Sequence, residues 1–263
     1  MSSLQAFKST FRGDIVTSSD PSYMYAISRW ASNSERQAKY VLFPRNAEAV
    51  ALAILFATKN KLSIAIRGGG HSVSGSSSVQ DGVVIDLSRF LNGVKIDPLQ
   101  RLAFVGGGAI WETVETAAIK HGLATVAGTV NETGVGGLTL GGGWGFLTGE
   151  HGLSLDNVKE VTVVTASGSI LPASPNYNPD LFWGIRGGGC NFGVVTEFVF
   201  TLHPQRNTVF GGALVFQPLK LEKLVNTAVQ WWRNAGPKEA GSFIIARFPY
   251  TPTVCPISTQ VLE

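Results

Sequence analysis

The stretch that decides the fold is "LSIAIRGGGHSVSGSSSVQDGVVIDLS", Leu62 to Ser88. It opens on LSIAIR, whose apolar alternation predicts a strand, and closes on GVVIDLS, which predicts another. Between them lie three glycines, a histidine and a run of serines. A dinucleotide fold of the G-x-G-x-x-G kind needs a helix directly after the glycines, because the helix N-terminus faces the pyrophosphate. HSVSGSSSVQDG has no apolar period of 3.6 and leads into a strand instead, so a Rossmann domain is disfavoured. The loop can still hold an anion. Successive backbone N–H groups in mixed right- and left-handed conformations form a nest, which glycine permits, and Ser72, Ser74 and Ser76 add hydroxyl donors.

Upstream, Tyr40–Phe43 reads as a strand stopped by Pro44, and Asn46 as the N-cap of a helix through AEAVALAILFATKN. Downstream, RLAFVGGG predicts strand and turn, and AIWETVETAAIKHG an amphipathic helix stopped by Gly122. A long loop is expected from Ala127 to Asn157. VKEVTVVTASGSILPAS then predicts a hairpin, NPDLFWGIRGGG a short helix, and NFGVVTEFVFTLHP a last strand closed by Pro204. After His203 the segments VFGGALVFQ, LEKLVNTAVQWWRNAG and SFIIARFPY suggest strand, helix, strand. Such a piece leaves raw sheet edges and the apolar Trp231 and Trp232, so the chain is expected to stop partway through a second domain.

The pentapeptide Ile-Arg-Gly-Gly-Gly occurs twice, at Ile66–Gly70 before His71 and at Ile185–Gly189 before Cys190. The 31 glycines gather at 68–75, 106–108, 134–145 and 187–193, each cluster beside an apolar segment. Any one cluster is explained by a turn. All of them together suit close approach to a long ligand with a diphosphate in its middle.

The segments IRGGGHSVSGSS…DGVVIDLS, TGVGGLTLGGGWGFLTGEHGLSLDN and NPDLFWGIRGGGCNFGVVTEF, in that order, resemble the berberine-bridge-enzyme-like FAD-linked oxidoreductases of the vanillyl-alcohol-oxidase superfamily. Among these, the chain resembles the fungal and bacterial members related to 6-hydroxy-D-nicotine oxidase. The resemblance implies an α+β, PCMH-type FAD-binding fold of two α/β subdomains over residues 36–206. An N-terminal segment (1–35) precedes it, and the start of a substrate domain (207–263) follows.

The resemblance further implies FAD bonded through His71, whose neutral imidazole is a nucleophile. The cofactor would be bound by Arg67, Gly68, Gly69, Gly70, His71, Ser72, Ser76, Thr129, Thr133, Gly134, Gly136, Gly137, Gly141, Gly142, Gly143, Gly145, Gly193 and Val195. Members with a second flavin bond carry a cysteine where this chain has Val130, so a single tether is expected. Cys190 is expected as a small buried residue in a tight turn. Val135 is expected to face the flavin where oxygen arrives, its small side chain favouring an oxidase. The reaction implied is hydride removal from an alcohol, amine or secondary-metabolite C–H, with electrons passed to O2. A catalytically incomplete FAD-binding fragment and an FAD-dependent cyclase are the alternatives. No catalytic base is named, and His121, His151 and His203 read as structural or surface residues.

The net charge of +3 is scattered rather than gathered in a basic stripe, which disfavours a nucleic-acid partner. Two cysteines are too few for a disulfide scaffold. Neither a signal peptide nor a membrane span is read in the sequence, and a glycan on the Asn131 sequon would obstruct a ligand loop. A cytoplasmic, metal-free protein acting on a small molecule is expected.

Overall fold

The computed structural model describes residues 3–206, 208–216, 218–243 and 255–261. Its first subdomain is built from α1 (Ser3–Thr10), β1 (Gly13–Val16), α2 (Tyr23–Ile27), β2 (Tyr40–Pro44), α3 (Ala47–Lys59), β3 (Ile64–Arg67) and β4 (Val83–Asp86). The sheet order is β1-β2-β4-β3, with β2, β4 and β3 parallel and β1 antiparallel at the edge. Parallel neighbours need a crossover of about a dozen residues or more, usually a helix. α3 provides it between β2 and β3. Between β3 and β4 the glycine–serine loop of residues 68–82 provides it with no helix.

The Asn46 side chain starts α3 by accepting a 2.9 Å hydrogen bond from the Ala49 N–H. Val50, Ala53, Ile54 and Ala57 on α3 pack with Leu42, Val83 and Ile85 of the sheet. The parallel strand β4 lies at the sheet's centre and is buried at all four positions. Of the N-terminal segment read at 1–35, the described residues 3–35 pack into this subdomain. β1 completes its sheet, and Phe7 and Phe11 enter its core, Phe7 stacking on Phe56.

The second subdomain has a five-stranded antiparallel sheet, order β5-β6-β10-β8-β9, made of β5 (Val94–Asp97), β6 (Leu102–Gly106), β8 (Val158–Val164), β9 (Ile170–Ala173) and β10 (Val194–Thr201). Its apolar face is covered by α4 (Trp111–Ile119), α5 (Val135–Leu140) and α7 (Pro179–Gly188), with Trp111, Phe182, Ile185, Phe198 and Phe200 in the core. α6 (Thr148–His151) follows α5, and the two-residue strands β7 (Leu123–Ala124) and β11 (His203–Pro204) pair with each other.

Beyond β11, β12 (Phe210–Phe216), α8 (Leu221–Asn234), β13 (Glu239–Phe243) and β14 (Cys255–Val261) form an antiparallel sheet of order β12-β14-β13 and one helix. β14 is a strand beyond the expected strand–helix–strand. Trp232 on α8 is exposed, and Ile244–Tyr250 of the expected last strand lie outside the described residues.

The largest local correction lies between Ala127 and Asn157. This segment is not a loop but contains α5, α6 and a 3₁₀ turn at Ser154–Asn157. VGGLTL has poor intrinsic helix propensity. Burial of Val135, Gly136 and Thr139, with Leu138 and Leu140 packed on the core, overrides it. Among the described residues no helix is long and apolar enough to cross a membrane.

Candidate cofactor site

The two glycine segments cross where the subdomains meet. A Cβ added at Gly69 would lie 2.5 Å from Gly134 N and 2.6 Å from Gly134 Cα, and one added at Gly134 would strike Gly69 in turn. Backbone faces backbone there, so neither residue can carry a side chain without parting the subdomains. Gly107, at the end of β6, sits beneath the crossing with its carbonyl 3.0 Å from where a Cβ of Gly68 or of Gly136 would stand.

Above this floor opens a cavity of about 390 Å³, within the usual range for small-molecule sites. One part of its wall is apolar, from Ile66, Leu87, Leu138, Leu140 and Val195. The rest is glycine backbone and the side chains of His71, Ser72, Ser76, Ser77, Thr133 and Cys190.

Two guanidinium groups, Arg29 buried and Arg67 partly so, brace the first loop from behind. Arg29 donates from Nε and Nη2 to the Ser77 carbonyl, at 3.2 and 2.7 Å, and also to Ser77 Oγ. Arg67 donates to the fully buried Asp86 at 3.0 Å and to the Ala26 carbonyl. Burial, then the like charge of Arg67, lowers the Arg29 pKa to about 10, against the opposing pull of Asp86 and Glu35, so Arg29 stays charged at neutral pH. The serine hydroxyls point at one another, Ser72 with Ser74 and Ser76 with Ser72, each pair at 2.9 Å. They are free to exchange that mutual bond for an anionic oxygen.

His71 stands at the wall with its Nε2 buried and without a hydrogen bond. Its nearest polar neighbour is Glu132 Oε1 at 3.8 Å, an ion-pair distance too long for a hydrogen bond. The Trp30 indole stacks on the imidazole, centroids 4.4 Å apart and planes 18° apart, and Trp30 Nε1 donates to the same Glu132 oxygen at 3.1 Å. The cavity therefore offers a side-chain-free backbone cradle, hydroxyl donors, an apolar wall and one imidazole nitrogen with no hydrogen bond. That set fits a long ligand with an anionic middle and a planar aromatic end, as the flavin dinucleotide is.

The structure gathers most of the expected residues here: 68–72 and 76 from the first loop, 133, 134, 136, 137 and 141 from the second, and 193 and 195 from the start of β10. Arg67 lies behind the wall. Thr129 is exposed away from it. Gly142, Gly143 and Gly145 shape the turn after α5 rather than the cavity: Gly143 presses on Ser154 and Gly145 on the Ala127 carbonyl.

Two expectations are corrected. Cys190 is not buried but exposed, on the cavity wall in the 3₁₀ turn that begins at Gly189 (φ 68°), where the chain leaves α7 and its packing against the core. Val135 does not face the cavity. As the first residue of α5 it is fully buried in the second core, where it fills space beside Trp111 and Phe198. The wall residues Ile66, Ser77, Leu87, Gly107, Leu138 and Leu140 were not singled out, and only the glycine cluster at 106–108 hinted at one of them. Of the remaining histidines, His121 is exposed. His151 and His203 stack with centroids 3.7 Å apart, and His203 Nε2 bonds Asn157 Oδ1 at 2.6 Å, outside the cavity.

The FAD binding domain family matches residues 38–174, 137 of the 263 residues. The chain belongs to this family, and it is similar to FAD-linked oxidoreductases and to berberine-bridge-enzyme-like proteins, whose fold it shares. The FAD-linked oxidoreductase pgmH of Aspergillus terreus is 40% identical over 95% of this chain and 51% of its own length. The crystal structure of 6-hydroxy-D-nicotine oxidase from Arthrobacter nicotinovorans superposes with a TM-score of 0.92 at 30% identity, covering 97% of this chain and 56% of that one. Glucooligosaccharide oxidase from Acremonium strictum, which carries a 6-S-cysteinyl, 8α-N1-histidyl FAD, superposes with a TM-score of 0.85 at 25% identity, covering all of this chain and 55% of that one. The chain thus spans about half the length of the curated relatives it matches.

Proposed function

We propose that this chain is the FAD-binding part of an oxidase, with the cofactor in the cavity between the crossed glycine loops and tethered through His71. The observation that carries the reading is the imidazole of His71 on the cavity wall, held by the Trp30 stack and making no hydrogen bond of its own. A histidyl FAD in one relative and the oxidase names of two support it.

In this reading the loop N–H groups of residues 68–70, with Ser72 and Ser76, hold the diphosphate, in the manner of a backbone nest. Ile66, Leu87, Leu138, Leu140 and Val195 exclude water from one face of the ring system. Arg29 and Arg67 keep the first loop in shape and do not touch the ligand. Val130 offers no thiol, so one bond holds the cofactor.

When bound, the flavin would supply the redox chemistry for removing hydride from an alcohol, amine or secondary-metabolite C–H, with O2 as the electron acceptor. The FAD unit runs to residue 206, and β12–β14 with α8 begin the unit that faces the substrate. The protein should be isolated yellow. Joined to the rest of the substrate-facing unit, it should be bleached anaerobically by one of a panel of alcohols and amines, with hydrogen peroxide released on re-aeration. A colourless chain overturns the FAD reading. Bleaching without peroxide on re-aeration overturns the oxidase.

A further inference from the structure

Two residues meet around His71 that the cofactor site itself does not require. Trp30 comes from the N-terminal segment that completes the first subdomain. Its backbone N–H donates to the Gly70 carbonyl at 3.2 Å, immediately before His71, and its indole lies flat on the imidazole at 4.4 Å. Glu132 comes from the second glycine segment, across the subdomain junction. The carbonyls on either side of it are fixed: Asn131 accepts from the Glu112 N–H at 2.8 Å and Thr133 from the Trp111 N–H at 3.1 Å, both on the first turn of α4. One Glu132 oxygen receives the indole N–H at 3.1 Å and stands 3.8 Å from His71 Nε2. Both side chains are exposed, where nothing in the core would hold them. Here both are pinned by backbone bonds and by each other, and both aim at one imidazole.

We propose that Trp30 and Glu132 are positioning residues for the attachment of the cofactor to His71, a role that rests on the tether reading above. Trp30 fixes the plane of the ring. Glu132, drawn to the Nε2 edge, orients the Nε2 proton toward itself and leaves Nδ1 as the nitrogen with a free lone pair. When Nδ1 bonds to carbon the ring becomes cationic, and the carboxylate stabilises that charge and takes the Nε2 proton. In net terms one flavin methyl C–H and the imidazole N–H are replaced by a C–N bond. The two protons and two electrons released pass to O2 as hydrogen peroxide. A base placed for proton transfer is worth about 10²–10⁴ in rate; at the 3.8 Å separation, before the contact tightens, the low end applies.

The test measures attachment, not turnover. The 263-residue chain and its variants are purified with the flavin they carry, given excess FAD in air, and acid-precipitated over time. Flavin in the pellet is covalent and flavin in the supernatant is not. Glu132→Gln should hold as much total flavin as wild type with unchanged thermal stability, yet transfer it to the pellet about 100-fold more slowly. Trp30→Ala should be slowed about tenfold, and Trp30→Phe, which keeps the stack, should recover most of that loss. A merely structural role would lower total flavin and stability together and would leave no rescue by phenylalanine.

Wild-type flavin that washes into the supernatant overturns the tether, and this proposal with it. Wild-type flavin that stays in the pellet, with Glu132→Gln and Trp30→Ala attaching at the wild-type rate, overturns the positioning role alone.

Discussion

The two copies of Ile-Arg-Gly-Gly-Gly fold differently and end at the same place. In the first, Ile66 and Arg67 finish the parallel strand β3, paired with Ile85 and Asp86. In the second, Ile185 and Arg186 finish the helix α7, whose regular geometry breaks at Arg186 and Gly187 (φ 109°). What precedes each copy makes the difference. LSIA alternates toward a strand, whereas Asn178-Pro179 opens a helix that buries Phe182 and Ile185. The arginines diverge accordingly: Arg67 is locked to a fully buried carboxylate, and Arg186 lies over the Phe182 ring at 4.5 Å. Yet both glycine runs stop their element and bring backbone to one cavity, with His71 on one side and Cys190 on the other. A repeated pentapeptide fixes where a chain breaks, not what it breaks from.

The sharpest way to break this comparison is to remove each arginine. Arg67→Ala strands the buried Asp86 charge and should cost about 3–5 kcal/mol of unfolding free energy, whereas Arg186→Ala loses a partly exposed cation–π contact worth about 0.5–1 kcal/mol. Urea titration of the two variants measures both, and equal losses would mean that the copies are braced alike.

The glycines come next. Gly69→Ala drives a Cβ into the Gly134 backbone and should cost about 3 kcal/mol along with most of the bound flavin. At Gly187 an added Cβ meets nothing within 4 Å, so only the strain of its positive φ, about 1–2 kcal/mol, should be felt, with flavin retained. Melting temperature and flavin-to-protein ratio separate the two.

Smaller still is the effect at Cys190. Cys190→Ser should leave covalent flavin unchanged. Peptide mapping after alkylation should find Cys190 modified readily in flavin-free chain and protected in loaded chain, because the thiol lines the cavity.

The smallest effect lies outside both copies. Burial, and then the like charge of His151, holds the His203 imidazole below the ordinary 6.5, against Glu150 and with a further push from Arg101. The unfolded chain therefore takes up a proton that the folded chain refuses. The contribution of His203 to stability is complete above 6.5 and is lost as pH falls from there toward the lowered value. His203→Gln should flatten stability across that window in a pH series of urea titrations.

Strands and helices with strong periodicity were legible in the sequence, α3 down to its Asn46 cap and the β8–β9 hairpin, whose turn the structure closes with the Thr165 N–H donating to the Ser169 carbonyl. So was the absence of a helix after the first glycine loop. The sequence hid α5, because its glycines are poor helix formers held by tertiary burial, and β1 and β5, because GDIV and VKID hold only two apolar residues each where IAIR and VVID hold three. Most of the cavity wall was legible through its glycines, whose lack of a side chain is itself the signal. Trp30 and Glu132 were not. Nothing in a lone tryptophan far upstream or in a sequon glutamate says that the fold will bring them to the same imidazole.

The central claim is that the two pentapeptides share one cavity and that only the first holds the cofactor. Mass spectrometry of tryptic peptides tests it directly, since His71 falls in the peptide of residues 68–89 and Cys190 in that of residues 187–206. The account predicts the 68–89 peptide with the mass of one flavin cofactor added, at His71 by fragmentation, and the 187–206 peptide unmodified. An unmodified 68–89 peptide from flavin-loaded chain, or the added mass on Cys190, would contradict it.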